Sequence, residues 1–427
     1  MNNWRETTLG KVANVFTGYP FKSELYSTGD QDVRLLRGDN ISQGAMDWSD
    51  ARKWPAEQLN DFEEYQLKED DIVLAMDRPW IGAGLKFSQI IKSDLPALLV
   101  QRTARLRGSN DLDIGYLKYV IGSPWFTSYI KRITTGSLVP HISLKQIRDF
   151  PVKLPPIEEQ KAAAAVLLAI DKKFELNNRI NAELEAMAKT LYDYWFVQFD
   201  FPDANGKPYK TSGGKMVYNP TLKREIPEGW SNEVLGKIIN MERGVTYGKE
   251  DVLDKDNDNA IGVLRATNVT GNSVDINDLV YVPKSIVNQT QKIESFETII
   301  VMSSGSKEHV GKNGIYYFDE PLGFGAFCSK IVPKKGARSF VNTFLQTTWF
   351  RAYIKNQCLG TNINNLTGDH INKCPIALPA KGLLERFEEV TGDIYQRISV
   401  NAIENQKLTA LRDWLLPMLM NGQVTVK

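Results

Sequence analysis

Residues 124–155, PWFTSYIKRITTGSLVPHISLKQIRDFPVKLP, recur as residues 348–379, TWFRAYIKNQCLGTNINNLTGDHINKCPIALP, at a constant offset of 224 and without a gap. Trp125 answers to Trp349, Phe126 to Phe350, Tyr129 to Tyr353, Gly136 to Gly360, Ile147 to Ile371, and Leu154-Pro155 to Leu378-Pro379. Upstream, Trp4 and Leu9-Gly10-Lys11 answer to Trp230 and Leu235-Gly236-Lys237 at an offset of 226, and Leu36-Arg37 and Asn40 to Leu264-Arg265 and Asn268 at 228. The drift places length changes in loops and keeps the scaffold. A period this long is foreign to solenoids and propellers and indicates two copies of one domain-plus-connector unit. The copies differ most between residues 45 and 120 and their counterparts, as two versions of one task on two targets would.

A helical pattern follows each Leu-Pro pair. Residues 157–196 contain neither Gly nor Pro and are rich in Ala, Leu, Glu and Lys. A helix of about 38 residues would be near 57 Å long. Its counterpart runs from Leu383 to Met420, with Pro417 expected to kink or end it. A heptad grid puts Leu167, Phe174, Asn181, Ala188 and Trp195 in one core position and Ala163, Ile170, Asn177, Leu184 and Leu191 in the other. In the second copy the rows are Ile398, Asn405 and Leu419, and Phe387, Ile394, Asn401, Leu408 and Leu415, with Thr391 and Arg412 interrupting. Antiparallel pairing about the asparagine layer would set Asn177 against Asn405 and Asn181 against Asn401, fixing register at some cost in stability. The same periodicity is compatible with each helix packing on its own domain, without a seam between helices.

The chain has 427 residues, 42% hydrophobic and 24% charged, which suits two or three globular domains. No apolar run approaches the roughly 20 residues needed to cross a bilayer, and the first residues lack an export signal, so a cytoplasmic, non-membrane protein is expected. Cys328, Cys358 and Cys374 have no metal-ligand spacing and fit a reducing compartment. The formal net charge of +1 does not decide for or against nucleic acid, because binding depends on local patches.

The globular segments alternate short apolar runs with turns: Val33–Leu36, Asp71–Met76, Ala97–Val100, Gly262–Arg265, Thr298–Met302 and Lys330–Val332 are strand-like. Helices are expected near Ile114–Arg132 and Val341–Gln357, making each domain α+β. Trp125, Phe126, Trp349 and Phe350 are expected in the core. The division is residues 1–155 and 226–379 for the two domains, 156–200 and 380–427 for the helices, and 201–225 for a Pro/Gly-containing linker.

Trp4 to Lys11 and Trp230 to Lys237, the Ile226-Pro227-Glu228-Gly229-Trp230 entry, the Leu154-Pro155-Pro156-Ile157-Glu158-Glu159-Gln160 run and the Thr17-Gly18-Tyr19-Pro20-Phe21-Lys22-Ser23 loop together resemble the specificity subunit of type I restriction-modification systems. The resemblance spans essentially the whole chain. The second copy departs from it, with Leu378-Pro379-Ala380-Lys381-Gly382 and Gly244-Val245-Thr246-Tyr247-Gly248-Lys249 in place of the corresponding motifs. It implies two tandem α+β target-recognition domains separated by two long helices forming an antiparallel coiled coil, with pseudo-twofold repetition. Each domain would read one half of a bipartite target in double-stranded DNA, and the helix pair would set the unread spacer. Two modification (methyltransferase) subunits would dock on the helices, and restriction/translocase subunits would join. S-adenosylmethionine, ATP and Mg would then belong to those partners, with no cofactor on this chain.

The residues show no catalytic constellation of their own. Asn219-Pro220-Thr221-Leu222 lacks the second proline and the aromatic of a methyltransferase loop, and reads as a turn. Gly305 to Asn313 has the wrong glycine spacing for a phosphate loop. His141, His309 and His370 have no metal spacing, and no Ser or Cys has a base partner in the sequence. A non-enzyme is expected.

Base reading requires polar side chains on base edges, positioned by cations and hydroxyls on phosphates. The first domain offers Tyr19, Lys22, Arg37, Asn40, Arg78, Trp80 and Lys86; the second offers Tyr247, Lys249, Arg265, Asn268, Ser304, Lys307 and Lys312. Each is equally readable as a solvated surface or turn residue. Two other functions remain open: a duplicated repressor or reader for a non-methylating defence system, which would bind DNA tightly without partners, and an enzyme whose catalytic residues escape motif reading.

Overall fold

The structure, a computed structural model, describes residues 4–81, 84–134, 140–306, 308–357, 366–379 and 382–426. It divides into two compact units, Met1–Phe174 with Leu408–Lys427, and Glu175–Lys407.

In the first unit a four-stranded sheet has the order Asn14–Thr17, Thr103–Arg107, Ile72–Ala75, Phe87–Gln89. Beside it lies a three-stranded sheet, Arg52–Trp54, Val33–Leu36, Ala97–Leu99. The strand Arg5–Thr8 pairs antiparallel with Pro151–Leu154 and closes the domain ends. The second unit repeats the plan. Its four-stranded sheet is Ile239–Arg243, Cys328–Pro333, Thr298–Val301, Asn313–Ile315. A second sheet is Val280–Pro283, Ala260–Leu264, Leu322–Phe324, Lys292–Ile293, and Ser231–Val234 pairs with Pro375–Leu378. In both units the strand that precedes the Leu-Arg pair runs parallel to a short buried strand, Leu36 opposite Leu99 and Leu264 opposite Phe324. Each expected strand is present, and Ile72–Ala75 and Thr298–Val301 are buried throughout, as suits central strands covered on both faces.

The gapless repeat keeps its residues because they cap and tie the same turns. Ser123 accepts from Phe126 N–H at 3.1 Å and Thr347 from Phe350 N–H at 3.1 Å, each starting a helix. Tyr129 donates to the Gln146 carbonyl at 2.9 Å, and Tyr353 to the His370 carbonyl at 2.8 Å. The two expected helical stretches are each broken in two, Ile114–Gly122 with Pro124–Ile133, and Arg338–Leu345 with Thr348–Gln357.

Three expectations need correction. Phe126 and Phe350 are fully buried, but Trp125 and Trp349 are 49% and 50% exposed. Adjacent helical residues point about 100° apart, so the phenylalanines take the core and the indoles lie on its shoulder, over Phe150 and Tyr353 respectively. Pro417 does not end its helix, which runs Leu383–Met420. It sits in the last turn, where one lost backbone bond costs least, between Leu416 and Leu419 buried in the first unit's core. Residues 201–225 are not free linker: Phe201 stacks on Tyr209 and Trp230, and Met216–Asn219 pairs with Arg224–Pro227 in a hairpin.

The helix from Ile157 to Tyr192 ends in a π-helical turn, Asp193–Val197, that buries Trp195 and Phe196. In the first unit Ala163, Ala164 and Leu167 share a core with Leu416 and Leu419; Ile170 is buried, and Leu415 packs on the edge of that core. Phe174 and Leu408 are half-buried. In the second unit Leu184, Ile394 and Ile398 pack with Tyr317 and Tyr395, and Leu191 packs on the domain core.

Candidate nucleic-acid interface

In the first unit, Arg37, Arg78 and Lys86 line one groove of about 840 Å³ together with Arg52 and Arg102. Five cations there face two carboxylates, Asp39 and Asp77. Arg37 meets Asp39 at 3.3 Å; Asp77 accepts from Arg102 at 2.9 Å and is hydrogen-bonded to His141. Arg52, Arg78 and Lys86 form no ion pair among the described residues. Arg78 is placed by a left-handed backbone, φ 45°, at the turn into the Trp80–Ile81 and Gly84–Leu85 strand pair. Ser23, Ser27, Thr28 and Gln101 add hydrogen-bonding groups to the walls. A basic, hydroxyl-lined concavity is suited to a phosphate backbone with base edges beyond it.

The other first-domain candidates lie around this groove or beneath it. Tyr19 is 37% exposed, held edge-on by Phe21, Phe62 and Tyr65. Lys22 is exposed beside lining residues Phe21 and Ser23. Trp80 packs against the domain core. Asn40 is buried, its amide occupied by the backbone of its own loop.

The second unit brings fewer of its candidates together. Tyr247 sits beside Arg265; burial pushes its phenol up, with the arginine's charge acting against that. Lys249 opens the next 3-10 turn and is exposed. Arg265 is held by Asp278 at 2.6 Å, and Asn268 is buried like Asn40. Lys312 lines a separate cavity of about 480 Å³ with Arg351, Lys355 and Glu308, walled by Thr270 and Gly271. Ser304 is half-buried and caps Ser306 N–H at 3.3 Å; Lys307 lies outside the described residues.

Sequence reading missed Arg52, Arg102, Arg351 and Lys355. Gln101-Arg102, a polar pair breaking two apolar runs, was a signal for an exposed turn, and Arg102 has φ 64°. Arg351 and Lys355 sit four apart on a helix read only for its packing face.

Between the two helices of the second unit lies the asparagine layer. Asn177 donates to Asn405 at 3.0 Å and to Glu404 at 2.8 Å; Asn401 donates to Asn181 at 2.8 Å; Asn405 donates to Asn178 at 2.8 Å. The order of partners is antiparallel. Among the described residues no group of three or more His, Cys, Asp or Glu could hold a metal ion, and no helix is long and apolar enough to cross a membrane.

Fold and site define a duplicated α+β protein with a basic groove in the first repeat and a basic cavity in the second. Residues 1–186 match the type I restriction modification DNA specificity domain, and the chain is similar to specificity subunits of type I restriction enzymes. The EcoAI specificity subunit of Escherichia coli is 35% identical over 188 residues, 44% of this chain and 31% of that protein. The EcoKI specificity subunit of Escherichia coli (strain K12) is 31% identical over 208 residues, 48% of this chain and 45% of that protein. These matches thus span less than half the length of those relatives. At 22% identity, the HindI specificity subunit of Haemophilus influenzae aligns over 99% of this chain and 100% of its own. A type I restriction-modification S subunit from M. genitalium has the same fold, with TM-score 0.55 and 14% identity over 98% of this chain and 96% of that one.

Proposed function

We propose that this chain is the DNA-reading subunit of a type I restriction-modification complex, non-catalytic itself and without a cofactor of its own. Each recognition domain reads one half of a bipartite target in double-stranded DNA, and the paired helices set the spacer and dock two methyltransferase subunits. Restriction/translocase subunits complete the assembly, and S-adenosylmethionine, ATP and Mg act on the partners, in the cytoplasm. The observation that carries this reading is the convergence of Arg37, Arg78 and Lys86, nominated separately along the sequence, on one basic groove. Two modules on one chain gain affinity through effective concentration, and a fixed separation would select half-sites at a fixed helical phase. The test is methylome sequencing of cells expressing this chain with and without its modification subunit. A bipartite N6-methyladenine motif is expected only when both are present; methylation without this chain, or none with both, would refute the proposal.

A further inference from the structure

Residues 37–50, RGDNISQGAMDWSD, and 265–278, RATNVTGNSVDIND, align without a gap at an offset of 228 and lead into the region where the two repeats diverge most. Few side chains are shared, yet the hydrogen bonds are the same. Asn40 Oδ1 accepts from Arg37 N–H at 3.0 Å, and Asn268 Oδ1 from Arg265 N–H at 2.8 Å. Asn40 Nδ2 donates to the Asp47 carbonyl at 3.0 Å, and Asn268 Nδ2 to the Asp275 carbonyl at 3.0 Å. The return bonds, Asp47 N–H to the Asn40 carbonyl and Asp275 N–H to the Asn268 carbonyl, are both 2.8 Å. Asn40 is 5% and Asn268 2% exposed, so neither amide can reach a base edge.

We infer that Asn40 and Asn268 are positioning residues, each clamping the loop that presents one arginine, Arg37 or Arg265, to its own half-site; this rests on the DNA-reading function proposed above. The clamp needs an acceptor for the arginine's N–H and a donor for a carbonyl across the loop, and a short carboxamide supplies both at once. Asp can only accept when ionised, and Ala can do neither. The arginines themselves are partly solvent-facing, their side chains 40% and 36% exposed, and rest on carboxylates that DNA would displace, Asp39 at 3.3 Å and Asp278 at 2.6 Å. Between clamp residues the tips differ, Ser42-Gln43-Gly44-Ala45-Met46 against Thr270-Gly271-Asn272-Ser273-Val274. A frame that keeps its ties and varies its tip can carry two specificities on one scaffold.

The test uses the complex assembled with its modification subunits, and duplexes bearing its methylated bipartite motif or single substitutions in either half. Asn40→Ala should lower discrimination within one half-site by about tenfold, the scale of a mispositioned bidentate contact, and leave the other half-site as in the parent. Asn268→Ala should give the mirror result. Arg37→Ala should lower discrimination in the half-site that Asn40→Ala affects, and the double variant should add little, because the asparagine acts through the arginine. Asn40→Asp, which keeps the bond from Arg37 N–H and loses the donor, should fall between parent and Asn40→Ala; it also serves if Asn40→Ala does not assemble. Parent-level discrimination in Asn40→Asp and Asn40→Ala, or equal loss at both half-sites, would overturn the clamp. A parent complex that distinguishes no bipartite duplex would instead overturn the DNA-reading function on which the clamp rests.

Discussion

Replacing the asparagines at the helix pair should give unequal single effects and a nearly silent double. Asn177 is fully buried and Asn405 8% exposed. Asn405→Leu removes the acceptor for one Asn177 bond and the donor to Asn178. A buried polar atom left unpaired costs about 1–3 kcal/mol, which sets the expected loss. Asn177→Leu strands the Asn405 carbonyl oxygen, but it also deletes Asn177 Oδ1, which is buried without a hydrogen-bond partner. These contributions oppose each other, leaving a net change within about 1 kcal/mol. The double variant removes both ends of the central bond and should return to within about 1 kcal/mol of the parent or exceed it. With mid-range values of about 2, 0 and 0 kcal/mol for the two single variants and the double, the coupling between the sites is about 2 kcal/mol. Urea denaturation followed by tryptophan fluorescence reads these values from the midpoints, provided the slope is unchanged. Additive losses at the two positions, with no coupling, would show that the pair is not a unit and refute the reasoning.

Further outcomes test other parts of the molecule. Removing Arg78 and Lys86 should weaken DNA binding and flatten its salt dependence by about 0.9 log units per log salt for each phosphate no longer neutralised; an unchanged slope in salt-titrated binding would move the interface elsewhere. Adding one heptad to both helices should lengthen the unread spacer by about 10 Å, or about three base pairs, with both half-sites intact; methylome sequencing showing the old spacing would reject the ruler. Burial holds the Glu185 carboxyl above its usual range despite its bond from Asn272 at 2.6 Å. The folded chain therefore binds the proton more tightly, so this group's contribution falls as pH rises past its unfolded pKa of about 4.3. Glu185→Gln should raise the thermal midpoint at pH 7 and lose that gain below about pH 4; equal midpoints at pH 7 would contradict it. Burial pushes the Cys328 and Cys374 thiols up to about 12. Native maleimide labelling at pH 8, read by mass spectrometry, should leave both unmodified, and labelling as fast as in the denatured chain would refute this.

Periodicity and the internal repeat determined much of this protein by themselves. The 224 offset nominated the partners of Asn177 and Asn181, and hydrogen bonds join them to Asn405 and Asn401, because a short polar side chain on a helix seam finds its opposite number within reach. The buried strands were equally legible, since runs such as Ile72–Ala75 have no polar alternative. Tertiary structure alone decided which polar residues face outward. Asn40 and Arg37 are equally polar in sequence, yet a three-residue turn buries the amide and leaves the guanidinium half-exposed. Arg52 and Arg102 joined the groove only because strands distant in sequence bring them there. Secondary structure follows from local pattern, but a charged surface is made by residues whose proximity is set by sheet pairing and packing, and neither is written in the spacing along the chain.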